Sequence, residues 1–266
     1  MSDHEKGLPP KDYLQHLAGL DNLLIGGGQA VYLWADVLLT KKEEEELGPF
    51  TSKDLDIIGT SETILEIANA TGWKYVFAPH KTATPVVGRL EGKSKDGGTL
   101  IVEVLRSIYG LSPEDIAKPV KIEYQGRFYK IHSPVTLLKA KLANCADLDQ
   151  SKREDVRQTK VLIACVDEFI KVALKEVEPK RTTERAIVNV LEALWTICSN
   201  KKNREAAVRF DLRLEDAFPK ELELVGGGKI ENFCSFRLPK LKQDLQQDRD
   251  EHAKRLNEPK PPEGRS

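Results

Sequence analysis

Leu23-Leu24-Ile25-Gly26-Gly27-Gly28-Gln29-Ala30-Val31, followed by Ser52-Lys53-Asp54-Leu55-Asp56-Ile57-Ile58, is the pair of stretches that decides the fold. The first is an apolar strand that runs into three glycines and then into an apolar helix. The second opens a strand with two carboxylates. Residues two apart in a strand project from one face, so Asp54 and Asp56 stand side by side. Adjacent carboxylates repel, and the usual reason to hold them together is a divalent cation. Hard cations such as Mg²⁺ take one or two carboxylates plus the oxygens of a substrate phosphate. Bare glycine backbone lets a phosphate approach the main-chain N–H groups. The two halves together imply a nucleotide-handling metal site on an α/β framework.

Working outward, residues 11–20 read as a short helix with Tyr13, Leu14, Leu17 and Leu20 on one face. Residues 29–39 carry Ala30, Val31, Leu33, Trp34 and Leu38 at helical spacing, residues 41–50 form a charged loop or short helical extension, and residues 61–72 form another helix. Residues 86–90 and 100–105 are strands joined through Lys95-Asp96-Gly97-Gly98, and residues 120–131 alternate around Gln125-Gly126 as a second hairpin. From Ser133-Pro134, a helix cap followed by proline at the first helical position, the period becomes helical. Residues 155–176, 182–199 and 202–218 continue it, and the stretch after Pro239, charged and without an apolar stripe, reads as a charged helix that frays into a disordered tail. The expected class is α/β (α+β): a mixed sheet with flanking helices over residues 1–132, a helical domain over 133–238, and a charged, partly disordered tail over 239–266.

Composition narrows the setting. The chain has 266 residues, 40% hydrophobic and 31% charged, with a net charge of -1, so no global field draws it to nucleic acid or membrane. Its apolar runs are far shorter than the roughly 18–20 residues of a membrane span. Residues 1–10 lack a signal-peptide core. Cys145, Cys165, Cys198 and Cys234 are too widely spaced for a zinc site or a disulfide framework and read as free thiols in a reducing cytoplasm.

A third acid completes the pattern. Glu103 lies at the centre of Leu100-Ile101-Val102-Glu103-Val104-Leu105, where a charge is costly unless it is paired or binds a metal. The set Ile25-Gly26-Gly27-Gly28-Gln29-Ala30-Val31, Ser52-Lys53-Asp54-Leu55-Asp56, and Ile101-Val102-Glu103-Val104-Leu105 through Tyr109-Gly110-Leu111 resembles the nucleotidyltransferase superfamily. The nearer likeness is to AbiEii-type toxin nucleotidyltransferases and related bacterial proteins. Ser133-Pro134 through Lys141-Leu142-Ala143-Asn144 is similar to the helix that carries a basic residue in that family.

The resemblance implies roles. Asp54 and Asp56 would ligate Mg²⁺ (Mn²⁺ also serves), and Glu103 would complete a second metal position or act as general base. Gly27 and Gly28 would cradle the β- and γ-phosphates of an NTP at a helix start, with Gln29 and Ser52 beside them. Lys141, or Lys139 one turn off it, would set a cation by the phosphates. Asp155, in Arg153-Glu154-Asp155, would supply the acid that follows the basic residue in these toxins, or is surface charge. The implied reaction moves a nucleoside monophosphate to a hydroxyl acceptor: an RNA or tRNA end, a protein, or a small molecule. The alternative is a catalytically weak nucleotide-sensing or protein-binding module paired with an antitoxin.

Other features carry less. His80 and His132 read as structural, and Gly226-Gly227-Gly228 as a hairpin or loop. Arg181, Arg185, Lys201, Lys202, Arg204 and Arg209 make either a tRNA-binding patch or a solvated helix face. With 6% aromatic residues the sequence shows no evident platform for stacking bases.

Overall fold

The computed structural model describes residues 7–20, 22–79, 83–95, 97–176, 183–225 and 228–257. The chain divides into two compact units, Met1–Phe169 and Ile170–Ser266. The expected boundary before Ser133 therefore lies inside the first unit.

The first unit is built on a seven-stranded mixed sheet of order β3-β4-β5-β2-β1-β7-β6. Its strands are β1 (Leu24–Gly26), β2 (Leu55–Ile58), β3 (Lys74–Phe77), β4 (Val86–Lys93), β5 (Thr99–Leu105), β6 (Val120–Tyr124) and β7 (Arg127–Ile131). β2 runs antiparallel to β1 and parallel to β5, while β1 runs parallel to β7. Helices α1 (Pro10–Leu14), α2 (Gly27–Leu38), α3 (Lys41–Leu47), α4 (Ser61–Thr71), α5 (Pro113–Ile116), α6 (Pro134–Asp147) and α7 (Asp155–Lys175) complete it, α7 crossing the division after Phe169.

Local chemistry sets the ends of these elements. Thr40 and Glu43 form a capping box that makes residues 41–47 the helix α3. Gly72, left-handed at φ 71°, closes α4. Gln125 and Gly126 both have positive φ, as the tight turn between β6 and β7 requires. Ser133 Oγ accepts a hydrogen bond from Thr136 N–H and caps α6, with Pro134 at its first turn. The helix expected over 11–20 stops at Leu14, yet Leu17 beyond it is still buried.

The core lies under one face of the sheet. Leu55, Ile57, Leu90, Val102 and Val104 are fully buried there, with Ile64 and Ile67 of α4 and Ala30, Val31 and Leu33 of α2. Gly88, opposite Val104, has no room for a Cβ because the Ile64 side chain lies 2.5 Å from that position. Strand alternation then places the even-numbered Asp56 and the odd-numbered Glu103 on the other, half-open face.

The second unit is helical. Beyond the end of α7 it holds α8 (Glu184–Ser199), α9 (Lys201–Arg209), α10 (Gly228–Asn232) and α11 (Leu238–Asn257), with a π-helical turn over Phe233–Arg237. The stretch after Pro239, expected as a charged helix fraying into a disordered tail, is through Asn257 the helix α11, packed on its leucines. Its stripe is narrow: Leu238, Leu241 and Leu245 are buried, and Pro239, Lys240, Lys242, Gln243 and Asp244 between them are not. Gly228 opens α10 in place of the expected hairpin or loop, while Gly226 and Gly227 lie outside the described residues.

Candidate functional site

Three strand ladders collect the predicted acids. Gly26 of β1 pairs with Asp56 of β2, Asp56 with Glu103 of β5, and Glu103 with Arg89 of β4. Directly paired residues share a face. Asp56, Glu103 and Arg89 therefore form one row across the sheet, with Asp54 just before β2 on the same side.

The glycine turn closes on this row. A Cβ on Gly27 would run into Asp56 Oδ2, and Gly27 has φ +60°. A Cβ on Gly28 would lie 2.6 Å from Gln158 Nε2 and 2.8 Å from Ser52 Oγ. The left-handed φ and the Asp56 side chain make glycine the residue that fits at position 27, while a side chain at position 28 would have to displace the ends of Gln158 and Ser52. No side chain caps that helix. Its leading N–H groups and the positive end of its dipole thus stand beside Asp56 without a side-chain acceptor, the arrangement that receives a phosphate.

The electrostatics report crowding. Burial, and then the charge of Asp54, push the Asp56 carboxyl up to about 7; Glu103 adds to the rise while Lys141 and Arg153 oppose it. Burial and Asp54 also raise Glu103, against the pull of Arg89. The three carboxylates therefore lie within one another's fields. Ser52 Oγ donates to Asp54 Oδ1 at 3.3 Å and orients it.

A cationic flank lies beside Asp56. Lys141 of α6 is buried, with its Nζ 2.8 Å from Asp155 Oδ1 of α7. Asn144 Nδ2 donates to the same oxygen at 3.0 Å, and Arg153 Nε to Asp155 Oδ2 at 2.5 Å. Burial alone would raise Asp155, but Lys141 and these hydrogen bonds bring it below the ordinary carboxylate range. Two cations share one anion here, leaving a net positive charge that acts on Asp56. Lys139 points elsewhere, pairing with Asp115 at 2.6 Å.

This donor set fits a hard divalent cation. It is all oxygen, it is anionic, and its mutual repulsion is what a cation relieves. Among the described residues no three or more His, Cys, Asp or Glu side chains are gathered into a ready cage.

Gln29 does not join the site. It is buried, and its amide donates to Leu8 O at 2.9 Å and Ser52 O at 3.4 Å, fastening residue 8 to the segment before β2. His132 is buried beside Trp34, whose indole donates to His132 O at 2.8 Å, and burial lowers its pKa. His80 lies outside the described residues. Two neighbours, Arg89 and Gln158, carry no signal in the sequence, and Asn144, quoted there within its motif, has no role assigned. Arg89 falls unremarked within the strand expected over 86–90, and only the β4–β5 register sets it opposite Glu103.

In the second unit the basic residues are largely engaged. Arg204 pairs with Asp244 and Asp248, Lys201 with Glu205, and the Arg209 guanidinium lies over the Phe210 ring. Arg181 lies outside the described residues. All four cysteines are free thiols, and among the described residues no helix is long and apolar enough to cross a membrane.

No family model matches the chain, and no curated protein matches it. The crystal structure of JHP933 from Helicobacter pylori is similar to it with a TM-score of 0.34 and 15% identity, over 93% of each chain.

Proposed function

We propose that this chain is a nucleotidyltransferase dependent on Mg²⁺ or Mn²⁺, moving a nucleoside monophosphate from an NTP to a hydroxyl acceptor with release of pyrophosphate. The observation that supports it is the row of Asp56 and Glu103, with Asp54 beside them, set against an uncapped helix start that opens on Gly27, where glycine is the residue that fits. Asp54 and Asp56 would hold the cation, with Glu103 available to a second one; bound there, the metal neutralises charge on the triphosphate and the departing pyrophosphate. The Gly27 and Gly28 N–H groups hold the β- and γ-phosphates. As the acceptor oxygen bonds to the α-phosphorus, the bond from that phosphorus to the bridging oxygen breaks. Glu103, when not engaged with a metal, takes the hydroxyl proton. Lys141 and Arg153 add positive charge on the Asp56 flank. The acceptor is an RNA or tRNA end, a protein hydroxyl or a small molecule, and the free thiols fit work in the cytoplasm.

The test is incubation with each α-labelled NTP, Mg²⁺ and either total RNA or total protein. Label transfer is expected with the wild type and a loss of about 100-fold or more with Asp56→Ala, the scale of removing a principal electrostatic group. Nucleotide binding without transfer to any acceptor would sink the reading.

A further inference from the structure

The segment between β5 and α5 approaches the glycine turn. Ile108 Cδ1 lies 3.6 Å from where a Cβ on Gly26 would stand. Two residues on, Gly110 takes φ +80° and seats against α6, where a Cβ would run into that of Ala143. The segment is thus tied both to the end of β1 and to the helix that carries Lys141. Between these anchors Tyr109 presents its ring to solvent, 51% exposed, while its hydroxyl donates to Asp147 Oδ2 at 3.1 Å.

An exposed ring held at its far end is the arrangement a flat partner requires. Among the described residues, the other large exposed aromatics of the first unit, Tyr75, Phe77 and Phe128, lie on β3 and β7, whereas Tyr109 directly follows Ile108, the residue that approaches Gly26 ahead of the helix start. A triphosphate at Gly27 and Gly28 leaves its ribose and base to extend from that turn. We propose that Tyr109 is the stacking platform for the base of the incoming NTP, which deepens the nucleotidyltransferase reading and rests on it. Recognition is then by the π-face. Every nucleobase has one, so stacking gives affinity without strong choice among the four bases. The Asp147 hydrogen bond fixes the far end of the ring and thereby reduces the ordering cost of binding.

The test compares Mg²⁺ complexes of ATP, GTP, CTP and UTP with that of inorganic tripolyphosphate, by calorimetric titration of the full chain. The wild type is expected to bind all four nucleotides about ten-fold or more tighter than tripolyphosphate, the scale of one base–aromatic stack. Tyr109→Ala should bring nucleotide affinity down to the tripolyphosphate level and leave tripolyphosphate unchanged. Tyr109→Phe, which keeps the ring and loses only the hydroxyl, should retain most of the difference. Unaltered nucleotide affinity in Tyr109→Ala overturns the stacking role while leaving the phosphate site standing. Failure of the wild type to bind either ligand overturns the nucleotidyltransferase reading as well, so the two failures are distinct.

Discussion

Asp56 is the residue in which fold and site meet, because its carboxylate is pressed against a backbone that no side chain can share. Its carboxyl titrates near 7 in the fold against an ordinary 3.8. Between those values the folded chain holds a proton that the unfolded chain has released. The resulting stabilisation is full below the unfolded value and is lost as the pH rises through about 7. Melting temperature, measured by calorimetry without divalent cations, should therefore fall between pH 5.5 and pH 8. Asp56→Asn should flatten that fall and melt several degrees above the wild type at pH 8, since each kcal/mol is worth about 2–4 °C in a chain of this size. Parallel pH curves for the two proteins would mean that Asp56 is not strained. Gly27→Ala should move stability the other way, by more than about 1 kcal/mol, because it adds both a positive-φ penalty and a clash with Asp56. Asp54, Asp56 and the glycines were legible in the sequence because their spacing encodes their direction. Gln29 was not: its neighbours suggest a ligand, but only the tertiary fold shows its amide bound to Leu8 and Ser52.

At the scale of elements, the pairing of α6 with α7 supplies the cationic flank. Lys141 and Asp155 are both buried; removing Asp155 strands the Lys141 charge, whereas Asp155 without Lys141 still has Arg153. Asp155→Leu, which leaves Lys141 without its partner, should cost roughly 3–5 kcal/mol in urea unfolding at pH 7, and adding Lys141→Met should recover much of it, as replacing a buried ion pair by apolar groups often does. An additive double mutant would show that the two side chains act separately. Because Asp155 lies below the ordinary carboxylate range, its contribution is present above the unfolded carboxylate pKa and fades as the pH falls through the lower folded value. The caps and turns of these elements were readable from Ser133-Pro134 and Gln125-Gly126. β3 was not, since all four of its residues are exposed and no alternation marks it. α11 was expected as a charged helix but its packing was not, since one leucine per turn or two, among charges, is enough to bury one edge and too little to read as a stripe.

At the scale of the whole molecule, the sheet order is what the chain conceals. β2 takes β5 as its parallel neighbour and β1 takes β7, pairings separated by dozens of residues that no local pattern specifies. These distant pairings place Glu103 next to Asp56, and they confine the candidate metal ligands to the first of the two compact units. A ligand that binds only the folded form adds stability to the cooperative unit that contains its site, about 2.7 kcal/mol at a hundred times its dissociation constant. Hydrogen exchange followed by mass spectrometry should thus slow on addition of Mg²⁺ and an NTP in peptides from β1, β2 and β5, by up to about 100-fold, and stay unchanged in α8, α9 and α11. Metal and proton compete for Asp56, so the slowing should be larger at pH 8 than at pH 6 once intrinsic exchange rates are corrected. In Asp56→Asn it should disappear at both pH values. Protection that appears in α8 to α11 instead, or that survives in Asp56→Asn, would place the cation somewhere other than on the row of carboxylates across β2 and β5.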